Sequence, residues 1–201
     1  SLSAGAHRID IQYDATSNPY VAILDDGLGM EASELTDAMR HGSTNPNDAR
    51  SSSDLGRFGL GLKTASLSQA RKLTVISKKN GQLSARRWDL NVVREMSSWS
   101  VVVPDEADLS TLPMYRNLRE QESGTLVIWQ DLDRLTAGAT DASKEMTTRM
   151  APLYEHLALV FHRFSKQEGE HPAVAITLTG LGLSARSPFL GTNSHRQALE
   201  R

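Results

Sequence analysis

The 201-residue chain contains no cysteine. That excludes a disulfide framework, a thiol nucleophile and any cysteine-based zinc site, and it fits a reducing compartment. No apolar run approaches the roughly 18 residues needed to span a bilayer as a helix, and nothing at Ser1 resembles a secretory signal. A cytoplasmic location without membrane contact is therefore expected, and the start at Ser1 reads as that of a piece of a longer protein. Neither sign of charge is in excess: 22 Lys and Arg face 24 Asp and Glu, for a net charge of −2, with 39% hydrophobic and 23% charged residues. This is the composition of a folded globular chain, not of a disordered segment or a polyanion-binding tail. Internal repeats are absent as well. The length suits one full core, or one domain and part of a second.

The net charge hides an uneven distribution. Between Arg40 and Arg87 stand ten Lys or Arg and only two acids, Asp48 and Asp54. A concentrated positive segment suits phosphate groups, of a nucleotide or of nucleic acid, and a solvated basic face accounts for it equally well. The motifs within the segment have to decide.

Ile9, Ile11 and Tyr13 alternate with polar neighbours in residues 7–14, and residues 20–25 (YVAILD) form a short apolar run. Two strands joined by the Ser17-Asn18-Pro19 turn are expected. Leu35, Ala38 and Met39 share a face of a helix over Met30–Met39. Residues 41–55 are rich in serine, threonine and asparagine and poor in apolar side chains, which predicts a surface loop. The glycine cluster GRFGLGLKTAS at 56–66 leads into a short helix ending near Gln69, and strands are expected at 72–79, 83–89, 100–103 and 125–132. Met146, Met150, Leu153, Leu157, Val160, Phe161 and Phe164 recur at intervals of three and four, the pattern of one long amphipathic helix from Lys144 to Phe164. A strand at 173–178 follows, and the tail from Ser187 reads as frayed.

Two common nucleotide signatures fit this sequence in form only. Gly27-Leu28-Gly29-Met30-Glu31-Ala32 matches G-x-G-x-x-[GA] between a strand and a helix. Asp25 and Asp26, however, would set two carboxylates beside the pyrophosphate that the helix N-terminus should attract, and no strand ending in an acid lies about 20 residues on. Gly56 and Gly61 have the G-x-x-x-x-G spacing of a P-loop, with Lys63-Thr64 after them. Leu62 intrudes, and one extra helical residue turns the lysine by about 100° from the phosphates it must cover.

A third pattern uses three elements in order: DDGLGM at 25–30, GRFGLGLKTAS at 56–66 and GTLVIW at 124–129, with the polar loop between the first two. These resemble the D-x-G-x-G box, the G-x-x-G-x-G box and the later Gly-Thr of the Bergerat-type ATP fold. That fold belongs to the GHKL superfamily of gyrase, heat-shock chaperones, histidine kinases and mismatch-repair ATPases, and the resemblance covers most of residues 1–132. It implies an α+β fold, a sandwich in which helices cover a mixed, mostly antiparallel sheet. It also implies ATP and Mg2+ as cofactors. Asp25 would then accept a hydrogen bond from the exocyclic amine of adenine and reject guanine, which offers a carbonyl there. Gly27 and Gly29 would let the backbone approach the base, and Met30 would lie against the purine face. Thr125 would reach the adenine, although apart from the resemblance it reads as an ordinary β-branched strand residue. In the second box Gly56, Arg57, Phe58, Gly59, Leu60 and Gly61 would line the phosphates, the glycines through backbone N–H groups, with Lys63 adding charge. Residues 41–55 would form the ATP lid. His41 stands as a pocket histidine or a surface residue, while His156 and His162 read as residues of an amphipathic helix.

In this superfamily an E-x-x-x-N catalytic box precedes a segment of the type D-N-S-x-D-A-x-A. Ser1-Leu2-Ser3-Ala4-Gly5-Ala6 resembles the tail of that segment, with Ser3 where many relatives carry Asp. The water-activating glutamate and the magnesium-holding asparagine are therefore expected before Ser1, leaving no metal ligand within the chain. The G-x-F-G-x-G-x-K phrase is similar to the microrchidia and heat-shock-chaperone branch. On this reading residues 1–135 form the ATP-binding domain, and 136–201 a long helix opening a transducer-like region. Two functions stay open. One is an ATPase whose nucleotide gates a conformational or dimerisation switch, with a homodimer on ATP binding in the longer protein and nucleic acid as a partner. The other is a catalytically inactive nucleotide-binding interaction module, and a histidine-kinase domain ranks third.

Overall fold

The computed structural model describes residues 1–40, 61–98, 100–166 and 173–186. A 3-10 turn at Leu2–Ala4 leads into β1 (Arg8–Asp14), which pairs antiparallel with β2 (Tyr20–Asp25). Helix α1 (Ala32–Met39) begins with a reciprocal cap, in which the side chains of Glu31 and Glu34 each accept from the other's backbone N–H. Then come α2 (Gly61–Gln69), β3 (Lys72–Lys79) and β4 (Gln82–Asp89), the two strands joined by the Asn80-Gly81 turn. Three short helices, α3 (Leu90–Met96), α4 (Glu106–Ser110) and α5 (Tyr115–Glu120), precede β5 (Gly124–Gln130). After residue 135 the chain forms α6 (Ala142–Met150) and α7 (Leu153–Val160), then returns to the sheet as β6 (Ala175–Leu178) and β7 (Leu181–Gly182).

Among the described residues the strands make one seven-stranded sheet, in the order β4-β3-β5-β2-β1-β6-β7. All pairings are antiparallel except that of β1 with β6. The two-residue side-chain period of a strand gives the sheet two apolar faces. On one face Leu73 and Val75 of β3 and Val127 and Trp129 of β5 pack against Leu35 and Met39 of α1 and Leu67 of α2. The same face continues under α6, where Met146 meets Val21, and under α7, where Leu157 meets Ile9, Ile11 and Ile176. The opposite face presents Leu24, Ile76, Leu126 and Ile128 to Leu109 of α4 and to Tyr115 and Leu118 of α5. Leu118 and Leu126 have no exposed surface, and each such side chain contributes about 1.5–3 kcal/mol of apolar burial. Helices on both faces of a mixed, mostly antiparallel sheet make this the α+β sandwich that the sequence resemblance implies.

Several local expectations change. The single helix from Lys144 to Phe164 is two helices, because Pro152 has no N–H to give and its ring crowds the preceding turn, so α6 stops at Met150 and α7 starts afresh at Leu153. The strand expected at 100–103 reduces to one bridge, Val102 with Arg87. Helices α3, α4 and α5 carry no periodic signal, since they run to only seven, five and six residues. The first two are started by aspartates, with Asp89 accepting from the Asn91 N–H and Asp105 from the Asp108 N–H. Among the described residues no helix is long and apolar enough to cross a membrane. The 41–55 loop, His41 and the tail from Ser187 lie outside the described residues.

Candidate functional site

At one end of the sheet the register of the three central strands sets Asp25 of β2, Thr125 of β5 and Ser77 of β3 side by side on the face that carries α1 and α2. Asp25 and Ser77 are buried and Thr125 is half-buried. A buried carboxylate needs hydrogen-bond partners. The Oδ1 of Asp25 accepts from the Gly27 N–H at 3.0 Å, and its Oδ2 accepts from the Ser1 hydroxyl at 2.6 Å. Each carboxylate oxygen has two lone-pair sites, so the group keeps acceptor capacity for a ligand.

Asp26, next along, has a different task. Its Oδ1 accepts from the backbone N–H groups of His7 and Arg8, at 2.8 Å each, and clamps the start of β1. The two adjacent aspartates thus divide, one turned into the row and one spent on backbone.

The segment Gly27-Leu28-Gly29-Met30 crosses the ends of β3 and β5 in close contact. Gly29 has φ +68°, and a Cβ there would lie 2.0 Å from the Lys78 carbonyl oxygen. Gly124 has φ +148°, and a Cβ there would lie 2.2 Å from the carbonyl oxygen of Asp25. Only glycine brings the backbones this near. The Ser123 hydroxyl donates to the Gly27 carbonyl at 2.8 Å, and the Met30 N–H donates to Ser77 Oγ at 2.8 Å, so the loop is braced from β3 and from the residue just before β5. The Met30 side chain packs against the cluster of Leu35, Leu73 and Val75 beside the row.

Of the residues singled out in the sequence, Asp25, Gly27, Gly29, Met30 and Thr125 come together here. Gly56, Arg57, Phe58, Gly59 and Leu60 lie outside the described residues. Gly61 and Lys63 belong to the first turn of α2. Exposed on α7, His156 stands apart from the row, as does His162, whose Nδ1 lies 2.7 Å from the Leu159 carbonyl. Sequence reasoning missed Ser77, although a signal existed: it is the polar member of the inward series Leu73, Val75, Ser77.

The basic segment also resolves in part. Lys78 donates to the carbonyls of Arg119 and Gln121, both at 2.6 Å, and so satisfies the C-terminus of α5. Lys79 pairs with Glu34 at 2.8 Å. Hydrogen bonding from Lys79 holds the Glu34 carboxyl below its ordinary range, and the same bond raises the Lys79 ammonium. Lys72 lies between Asp89 and Asp131, and Arg87 bonds Asp108 and Thr74. These cations are spent on the protein itself, which favours the structural reading for them.

The buried aspartate, the two hydroxyls in register with it and the glycine segment pressed against the strand ends lie in an α+β sandwich of the Bergerat type. The family model described as histidine kinase-, DNA gyrase B- and HSP90-like ATPase matches residues 1–125, and the chain belongs to that family. It is similar to ATPase morc-1 of Caenorhabditis elegans, with 32% identity over 96 residues that cover 42% of this chain and 11% of that protein. The chain thus spans about a tenth of the length of that curated relative.

The row offers acceptors of the kind that suit a donor such as the 6-amino group of adenine. For magnesium, which the family resemblance also implies, the described residues hold no cluster of three or more His, Asp or Glu placed to bind a metal ion.

Proposed function

We propose that this chain binds ATP with the adenine seated on the Asp25–Thr125 row. Asp25 reads the 6-amino group, Met30 lies along the ring, and the box from Gly56 to Gly61 receives the phosphates, with Lys63 adding charge. In the longer protein the bound nucleotide gates the pairing of two copies, a switch used in reactions on nucleic acid. The switch, the pairing and the nucleic-acid role rest on the resemblance to the microrchidia-like branch.

One observation carries the binding reading: Asp25, Thr125 and Ser77 form a polar row next to the apolar rows of the three central strands. A buried carboxylate is costly unless hydrogen-bonded, and a ligand that donates to Asp25 adds to the bonds from Gly27 and Ser1. Calorimetric titration of the chain with ATP and with GTP tests the reading. ATP should bind, and GTP should bind at least roughly tenfold more weakly, because its 6-carbonyl would leave Asp25 unpaired. Equal affinity for the two, or no binding of either, would contradict it. For the switch, light scattering of the intact protein with a non-hydrolysable ATP analogue should report a dimer, and a monomer at saturating analogue would contradict the pairing.

A further inference from the structure

Ser77 has no exposed surface, and its hydroxyl holds three partners at once. The Met30 N–H lies at 2.8 Å, the Gly124 carbonyl oxygen at 3.0 Å and the Thr125 hydroxyl at 2.9 Å. A serine hydroxyl has one proton and two lone pairs. The Met30 amide can only donate, and the Gly124 carbonyl can only accept. One proton assignment therefore makes all three contacts hydrogen bonds: Ser77 donates to Gly124, and Thr125 donates to Ser77. The reverse assignment, with Ser77 donating to Thr125, takes the proton from the carbonyl and leaves that contact unmade in a buried site, where an unmade bond is costly.

From this we infer that Ser77 is the positioning residue that sets the purine specificity of the site, by drawing the Thr125 proton inward so that Thr125 meets the ligand as an acceptor only. The inference rests on the ATP reading above and deepens it. Asp25, next in the row, already accepts on both of its oxygens. Two neighbouring acceptors suit a base edge that donates, the 6-amino group of adenine. They disfavour a 6-oxo edge, whose carbonyl would face lone pairs from both. A threonine hydroxyl without Ser77 behind it would rotate and donate to a 6-carbonyl as readily as it accepts from a 6-amine. Selectivity would then rest on Asp25 alone.

The test compares ATP with inosine triphosphate, which keeps the triphosphate, the ribose and the ring system and exchanges the 6-amine for a carbonyl. The unmutated chain should prefer ATP. Ser77→Ala should narrow the ratio of the two affinities by roughly three- to tenfold, the worth of one hydrogen bond, and Ser77→Thr, which keeps a hydroxyl, should restore it. A merely structural role for Ser77 would weaken both nucleotides alike and leave the ratio unchanged, and that result would overturn the inference. Should Ser77→Ala lose its thermal unfolding transition, Thr125→Val gives an independent reading. Deleting the acceptor should weaken ATP and spare inosine triphosphate, whereas an equal loss for both overturns the inference. If the unmutated chain binds neither nucleotide, the ATP reading falls and takes this inference with it. If ATP binds and the ratio does not move in Ser77→Ala, only the role of Ser77 falls.

Discussion

Successive rows across β2, β5 and β3, on one face of one sheet, differ in kind. The row Val21, Trp129, Leu73 and the row Ile23, Val127, Val75 are apolar, and the next, Asp25, Thr125, Ser77, is polar throughout. The strands, their period and the facing side are the same in all three. What changes is the partner: helices α1, α2 and α6 bring apolar side chains to the apolar rows, whereas the polar row is met by the backbone N–H groups of Gly27 and Met30 and by the Ser1 hydroxyl. The apolar rows hold the sheet to its helices. The polar row braces the loop after β2, and it is the place proposed above for the adenine.

This contrast breaks at definite places. The largest effect falls on the apolar rows. Leu73→Ala removes a side chain with no exposed surface, and chemical denaturation should show a loss of about 2–5 kcal/mol. The preference of the surviving folded protein for ATP over GTP should stay as it was, since Leu73 lies two rows from Asp25. Gly29→Ala comes next. Its positive φ and the 2.0 Å approach to the Lys78 carbonyl leave no room for a methyl group. A loss of about 2–4 kcal/mol is expected from strain and displacement together, and here nucleotide binding should fall along with stability.

The smallest effect is electrostatic and confined to the surface. Glu34 is held below its ordinary range by Lys79. A group with a depressed folded-state value stabilises above its unfolded value and loses that contribution as the pH falls through the folded one. The stability difference between the unmutated chain and Glu34→Gln should therefore be present at neutral pH and fade in acid, as the pH falls below the ordinary glutamate range and through the depressed folded value. A difference that persisted in acid would remove the ion pair as its cause.

The sequence disclosed some features because they are periodic or chemically singular. Alternation showed β1, and the apolar runs showed β2, β3 and β5, to within a residue or two at their ends. Asp25 and Gly29 were named because a motif carries them. Ser77 belongs to no motif; its neighbours Thr125 and Gly124 are 48 and 47 residues away, and only the strand register brings the three together. Helices α4 and α5 escaped notice because a helix of five or six residues is specified by its caps and its packing, not by a period. The run from Met146 to Phe164 looked like one helix because its apolar spacing continues through Pro152, and the period counts side chains without noticing a missing N–H. Nor does spacing show how the adjacent Asp25 and Asp26 divide, which depends on the side of the chain where each finds donors.

That division supplies the most direct test. ATP titrated calorimetrically into the unmutated chain, Asp25→Ala and Asp26→Ala compares a carboxylate assigned to the base with one assigned to the backbone. Asp25→Ala should bind ATP about 1.5–3 kcal/mol more weakly, roughly ten- to a hundredfold, as expected for losing a hydrogen bond to a charged group. Asp26→Ala should lose folding stability and, while folded, keep its ATP affinity. Unchanged ATP affinity in Asp25→Ala would contradict the account.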